Sequence, residues 1–463
     1  MTTLNFTKTT RIAAPVEAAF AWHERPGAFE RLAPPWENVR VVSAKGTIHD
    51  GDEKVVQVRV GPLRQTFHAR HYGYEKDRQF CDEQVRGPFA AWHQVHRFQA
   101  EGPNGCRIED QVEYRLPFGP LGRAAPRCMV QGRLESMFAY RSTTARNDIE
   151  RHHASGLEPM RVLLTGAGGL VGSALTAFLE SGGHTVVALT RSGPFNSAHI
   201  TWNPLKGFAA NELGPLEGFD AVIHLAGEPI LGYWSEAKKK RIMESRVIGT
   251  RNLCEALAKL DSPPKVLLSA SAVGVYGNRG DEELTEESPP GEGFLPRVGR
   301  EWEAAAGPAR ETGIRTVHMR LGPVFSPRGG ALGTMRLPFS LGIGGRIGRG
   351  GQYMPWIGVD DVLYAALHCL ADEAISGPVN FTAPEPVTNR ELTRTLARVL
   401  RRPVGPPAPE FVLRPLLRDM AEEFFLASTR AVPRRLEESG FRFAHPALEG
   451  ALRHLLGREK QAE

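Results

Sequence analysis

The chain has 463 residues, 41% hydrophobic and 24% charged, with a formal net charge of +5. That length calls for two or three domains, since single cores stop growing at about 250–300 residues. The charge is spread evenly, residues 1–159 holding 22 Lys and Arg against 19 Asp and Glu, and with no basic block a nucleic-acid partner is not expected.

The run Lys238-Lys239-Lys240-Arg241 falls in a helical pattern and reads as a solvated face. Five cysteines (81, 106, 128, 254 and 369) are scattered without a C-x-x-C. They suit reduced thiols in a cytoplasmic protein, with neither a disulfide nor a metal site. The first residues lack a basic start with an apolar core, and no apolar run approaches the ~20 residues of a membrane span.

Residues 1–150 read mostly as strand. Strands are expected at Phe6–Ile12, Val39–Ser43, Lys54–Val60, Gln65–Tyr72, Ala91–Phe98 and Cys106–Leu116, with helices at Val16–Trp22 and Met129–Ile149. Cys106–Leu116 alternates well, Ile108, Val112, Tyr114 and Leu116 sharing one face. Asp110 falls on that apolar face, where a carboxylate must find a partner, either a structural hydrogen bond or a polar end of a ligand. The pairs His68/His71 and His93/His96 have H-x-x-H spacing, but on a strand positions i and i+3 face opposite sides and cannot chelate one metal. Helix, antiparallel strands and a long closing helix, with Phe20-Ala21-Trp22-His23 and Arg31-Leu32-Ala33-Pro34-Pro35-Trp36 between, resemble the START-like (SRPBCC, polyketide cyclase) domains. That resemblance implies an α+β helix-grip fold enclosing a small hydrophobic ligand.

Polar residues 151–159 read as a linker, and Met160 looks like the start of a once free-standing protein. Val162–Leu164 is a short buried strand. Thr165 and Gly166 then open a tight turn, and glycines 166, 169 and 172 recur every third residue before a helical pattern. Gly182-Gly183-His184 turns the chain into a second strand, Thr185–Leu189. The β-α-β unit so formed is the size of a dinucleotide-binding fingerprint, with backbone N–H groups at a helix start facing a pyrophosphate. The second strand is followed by Arg191 where NAD-selective proteins carry an acid. An arginine there pairs with a 2′-phosphate, giving NADP(H) over NAD(H), or else is an exposed residue after a strand. Further strands are expected at Asp220–Leu225, Lys265–Ser269 and Thr316–Leu321. Thr388-x-x-Glu391 is a capping box before a stripe of Leu392, Leu396, Val399 and Leu400.

These motifs, with His224-Leu225-Ala226-Gly227-Glu228-Pro229, Ser271–Gly277, Gly351–Ile357 and a closing segment Phe411–Leu456, resemble the atypical extended short-chain dehydrogenase/reductases of epimerase-like type. The resemblance implies a Rossmann doubly wound parallel α/β sheet over 160–384 and a C-terminal helical extension over 385–463. It also implies cofactor contacts from Thr165, Gly166, Gly168, Gly169, Leu170, Val171, Gly172, Arg191, Leu225, Ala226 and Gly227. Glu228, Gln352 and Trp356 would face the substrate, and the glycine-rich loop 342–352 the nicotinamide.

One feature departs from that superfamily, whose enzymes pair a tyrosine with a lysine four residues on to trade a proton. Of eight tyrosines only Tyr72 has such a lysine, Lys76, in the first domain on a strand pattern. Ser271 and Tyr276 are then the candidate catalytic residues, against readings in which Ser271 caps a strand end and Tyr276 packs under the loop. The sequence supports an NADP(H)-binding oxidoreductase or epimerase acting on a small molecule. The alternative is a non-catalytic NADP(H)-sensing, ligand-binding protein.

Overall fold

The structure, a computed structural model, describes residues 3–37, 39–60, 63–117, 125–191 and 199–459. The chain divides into two compact units. The first reaches to Leu157 and takes in Ala177–Gly183 and the segment from His454; the second holds Glu158–Thr176 and His184–Arg453.

The first unit runs β1 (Leu4–Ile12), α1 (Val16–Glu24), α2 (Ala28–Leu32), β2 (Arg40–Lys45), β3 (Glu53–Val60), β4 (Leu63–Glu75), β5 (Gln79–Arg86), β6 (Ala91–Ala100), β7 (Cys106–Arg115) and α3 (Ala125–Ser155). Its seven strands form one antiparallel sheet, ordered β1-β7-β6-β5-β4-β3-β2. Strands β2 to β7 meander, and β1 closes on β7 with Leu4 opposite Tyr114 and Ile12 opposite Cys106. Period-two alternation puts Cys106, Ile108, Val112 and Tyr114 on the inner face. There α3 covers them in two places. Leu134 and Phe138 pack with Trp92, Val112 and Tyr114, while Ala145 and Ile149 pack with Phe20, Phe98 and Ile108. This is the helix-grip arrangement of the START-like domains.

The histidine pairs split across the sheet as strand geometry demands. His68 lies with Glu53, 3.1 Å away, while His71 faces the other side and pairs in register with Asp82. Asp110 meets His96, whose Nδ1 is 2.5 Å from its Oδ1. Helix α3 also corrects the expected linker, because it continues to Ser155 and β8 begins at Arg161. No glycine or proline interrupts residues 147–155, and Asp148 and Ile149 are buried, so the polar stretch stays helical until Gly156 stops it.

In the second unit the long strands are β8 (Arg161–Thr165), β9 (Thr185–Thr190), β10 (His199–Thr201), β11 (Ala221–His224), β12 (Val266–Ala272), β13 (Arg315–Leu321) and β14 (Gly377–Phe381). Helix α4 (Leu170–Ser181) follows β8, α5 (Glu236–Leu257) follows β11, and α6 (Phe294–Ala304) precedes β13. All seven strands run parallel in the order β10-β9-β8-β11-β12-β13-β14. Residues of β8, β11 and β12 are almost wholly buried, as a parallel sheet covered on both faces requires. Strand order reverses between β8 and β11, so their carboxyl ends open a crevice. Further on, Thr388 caps the helix Asn389–Leu400 in a capping box with Glu391, and Leu392, Leu396 and Val399 are buried as the stripe predicts.

Among the described residues no helix is long and apolar enough to cross a membrane. Cys81, Cys106, Cys254 and Cys369 are free and buried.

In the first unit Arg31 on α2 grips Asp148 on α3 through Nε at 2.7 Å and Nη2 at 2.9 Å, both residues nearly inaccessible. Removing one partner breaks a buried ion pair held by two hydrogen bonds, so Asp148→Ala should cost about 3–5 kcal/mol in urea denaturation of the full chain. Asp148→Asn, which keeps one acceptor, should cost less.

Candidate functional site

The crevice is built on the close approach of two backbones. Gly166 leaves β8 with φ +73°, and a Cβ built there would fall 2.8 Å from the Leu225 carbonyl carbon, just past β11. A Cβ on Gly172 would fall 2.2 Å from the Gly166 oxygen, so α4 can start this close to the turn only with glycine at that position. Gly169 N–H donates to the Gly166 carbonyl at 2.9 Å, while Gly168 and Gly169 stay exposed and Leu170 and Val171 half-buried. The turn thus brings its expected residues to one spot, opposite Leu225, Ala226 and Gly227 on the β11 side.

Thr165 does a different job from the one its motif position implies. Its buried hydroxyl accepts the N–H groups of Leu225 at 3.0 Å and Ala226 at 3.1 Å. With those lone pairs occupied, the hydroxyl proton goes to His224 Nδ1 at 2.7 Å. The ring proton then sits on His224 Nε2, which donates to Thr250 Oγ1 on α5 at 3.0 Å. Trp302 Nε1 of α6 donates to the same oxygen at 3.0 Å. One relay therefore locks two strand ends to two helices. Burial holds His224 down at about 4, so it stays neutral near pH 7.

Glu228 is fastened by the very lysine run that reads as a free face. Lys238 Nζ lies 2.7 Å from its carboxylate and Arg241 Nε 3.4 Å, and Lys238 foremost holds that carboxyl below its usual range. Arg246, buried beneath Gly227, donates to the Glu228 carbonyl at 3.0 Å and lies over the Trp302 ring.

Ser271 and Tyr276 lie together, joined by residues the sequence did not single out. Ser271 on β12, Arg320 on β13 and Asn380 on β14 stand in register across three neighbouring strands. Ser271 Oγ donates to Glu303 of α6 at 2.7 Å. Arg320 clamps the same carboxylate through Nε at 2.8 Å and Nη2 at 2.9 Å, and through Nη1 donates to the Tyr276 hydroxyl at 2.9 Å. That hydroxyl donates in turn to Asn380 Oδ1 at 2.7 Å. Tyr276 is 0% and Ser271 1% exposed. Burial pushes the Tyr276 phenol up despite Arg320 beside it. Glu303 is held below the usual carboxylate range because Arg320 outweighs its burial.

The remaining expected residues brace the fold. Gln352 Nε2 donates to the Ile347 and Phe425 carbonyls at 3.2 and 3.0 Å, and Ile347 bridges Ala408. The glycine-rich loop is therefore stitched to the C-terminal extension. Trp356 is wholly buried, stacked on Phe325 with its Nε1 donating to the Glu385 carbonyl at 3.1 Å, so its ring presents no face to a cleft. Arg191 is exposed directly after β9; Ser192 lies outside the described residues. A cavity of about 140 Å³ opens past β12, lined among others by Gly274, Gly277, Leu295, Pro296 and Glu292. It is well below the ~300 Å³ at which small-molecule pockets begin.

Thr165→Val should leave the Ala226 N–H and an imidazole nitrogen unpaired, while the Leu225 N–H keeps the Thr165 carbonyl at 3.3 Å, at a cost of about 2–3 kcal/mol in thermal or urea unfolding. Thr165→Ser should recover most of that. Between pH 6.5 and 4 the unfolded chain protonates His224 while the folded chain does not. Acidification through that window therefore lowers stability, which returns as pH rises. A His224→Gln variant should show a shallower loss over the same range.

Comparison with known proteins agrees with the two-unit reading. Residues 162–381 match the NAD dependent epimerase/dehydratase family, residues 408–455 a domain of unknown function (DUF1731), and residues 12–141 the polyketide cyclase/dehydrase and lipid transport family. An epimerase family protein of Mycobacterium bovis is 42% identical over 294 residues, 63% of this chain and 96% of that protein. The crystal structure of a nucleoside-diphosphate sugar epimerase from Corynebacterium glutamicum matches 99% of this chain and 91% of its own, with 34% identity and a TM-score of 0.81. The human epimerase family protein SDR39U1, crystallised with NADPH, is 33% identical over 64% of this chain and 99% of its own, with a TM-score of 0.59. A Rossmann unit with this crevice, matched by relatives over nearly their whole length, makes the chain a member of the epimerase family of extended short-chain dehydrogenase/reductases, with a START-like unit at its N-terminus.

Proposed function

We propose that the second unit binds NADP(H) at the crevice between β8 and β11 and exchanges hydride with a small molecule, while the first unit holds an apolar ligand. The observation that carries the cofactor reading is the glycine turn itself. Its exposed Gly168 and Gly169 precede a helix whose first N–H groups lack intrahelical acceptors, and an anion answers them. Leu225, Ala226 and Gly227 offer a low wall opposite, held in place by Thr165 and Arg246. The human relative crystallised with NADPH and the exposed Arg191 after β9 both favour the 2′-phosphorylated dinucleotide.

Bound NADP(H) supplies or accepts a hydride. The chain's own part is to shape the cleft and orient the substrate. Ser271 and Tyr276 serve these ends as a rigid floor, because their hydroxyl protons are already given to Glu303 and Asn380. Proton exchange with substrate then falls to solvent at the mouth of the cleft. The same locked hydroxyls favour a second reading, in which the unit reports the NADP(H) state without turnover.

Arg191→Ala should weaken NADPH binding by about tenfold or more and leave NADH binding nearly unchanged, as a lost charge-assisted phosphate contact does. Equal loss for both dinucleotides, read by fluorescence titration, would reject the NADP(H) assignment. Tyr276→Phe should lower the melting temperature yet leave NADPH oxidation over a carbonyl panel within about twofold, since less than 1 kcal/mol of barrier is at stake. Loss of turnover with an unchanged melting temperature would make Tyr276 catalytic. No oxidation of NADPH across that panel by wild-type protein that binds it supports the sensing reading.

A further inference from the structure

Inside the first unit, the two apolar clusters between sheet and α3 are separated by a row of polar side chains. On β7 Asp110 stands between Ile108 and Val112; on β6 Gln94 and His96 stand between Trp92 and Phe98. Asp82 of β5 faces Gln94 in register, and Lys8 of β1 faces Asp110. From the helix Arg141 lies between Phe138 and Ala145, which belong to opposite clusters. The carboxylates are largely taken up with His96, which has Asp110 2.5 Å and Asp82 3.4 Å away. These two aspartates outweigh its burial and hold it protonated, near 9.

The donors in this row are less well served. Gln94 is 3% exposed and its Nε2 has no hydrogen-bond partner. Half-buried Arg141 donates through Nε to the Leu32 carbonyl at 3.3 Å and lies over the Phe138 ring, and among the described residues its two terminal nitrogens donate to no protein acceptor. A buried amide without an acceptor is costly unless something fills it, and the half-buried fork beside it is open to the same acceptor. The charges point the same way: Asp82 and Asp110 are the carboxylates that act on both His96 and Arg141, and Lys8 stands opposite Asp110 in register. One further anion completes the balance.

We propose that the first unit binds an amphipathic carboxylate, its head on the Arg141 fork and Gln94 amide and its apolar body among the aromatic side chains beside the row. A carboxylate matches both geometry and charge, since its two oxygens take the parallel N–H groups of a guanidinium. The inference rests on the reading that this unit encloses an apolar ligand, and the two can fail separately.

The test is calorimetric titration of the full chain with decanoate, decanol and decylamine, three probes sharing an apolar tail. Decanoate should bind about tenfold or more tighter than decanol, the range of a charge-assisted hydrogen bond. Arg141→Leu should bring the two to parity while decanol affinity stands, and Arg141→Lys should restore part of the difference. Should Arg141→Leu fail to fold by circular dichroism, Gln94→Leu should narrow the same ratio. Parity of decanoate and decanol in the wild-type chain overturns the inference but leaves the apolar-ligand reading intact. Tighter binding of decylamine assigns the head to Asp82 and Asp110 and overturns it too. Binding of none of the three removes the apolar-ligand reading and the inference with it.

Discussion

Where strand order reverses, two chain segments must leave the sheet side by side, and the second unit depends on how near they can come. A Cβ on Gly166 would collide with the Leu225 carbonyl, and one on Gly172 with the oxygen of Gly166. Steric freedom alone would leave such a junction loose. The Thr165 hydroxyl removes that looseness by taking the two N–H groups of Leu225 and Ala226. Through His224 and Thr250 it is tied to α5 and α6, so the crevice walls are positioned by buried neutral hydrogen bonds. Neutrality matters, because a charged imidazole at 1% exposure would carry a desolvation penalty that no carboxylate nearby offsets.

The row Ser271, Arg320 and Asn380 is built on the opposite electrostatic principle. Here a charge is buried, and the structure tolerates it because Glu303 receives the guanidinium in two parallel hydrogen bonds. The remaining Arg320 nitrogen serves Tyr276 and the Glu286 carbonyl. Once Arg320 and Asn380 have claimed the Tyr276 oxygen and proton, its phenol can join a proton transfer only by breaking that arrangement. A residue shared by a motif can thus hold a different office when its neighbours differ, and here those neighbours lie on other strands.

How far this could be read from the chain depends on whether the deciding partner is local. The β-α-β unit around Gly166, the alternation of Cys106–Arg115 and the capping box at Thr388 are set by residues a few positions apart, and each stands where its pattern put it. Strand β5 carries no legible strand pattern because its inner-face positions include Asp82 and Gln84, which spoil the apolar alternation a half-buried strand normally carries. Helix α3 runs past its expected end because the polarity of residues 151–155 resembles a linker, while the burial of Asp148 by Arg31 is a tertiary fact. Trp356 illustrates the same limit: the motif gives its position, and only the stacking on Phe325 decides that the ring faces inward.

Arg320 in the second unit and Arg141 in the first differ in how far their guanidinium forks are filled. Arg320 reaches the Glu303 carboxylate, the Tyr276 hydroxyl and the Glu286 carbonyl, so adding a ligand there would have to displace a bond already made. Arg141 makes one hydrogen bond and Gln94 Nε2 makes none, so a ligand there would add bonds without breaking any. Buried Arg320 has its fork filled within the protein, whereas the terminal nitrogens of half-buried Arg141 are open to an acceptor from outside it. Motif strength points to the Rossmann crevice for function, while unmet hydrogen-bonding capacity points equally to the interior of the helix-grip unit. Those are different kinds of signal. The second survives even where no motif exists, because it follows from the energetics of a buried donor and not from its neighbours in sequence.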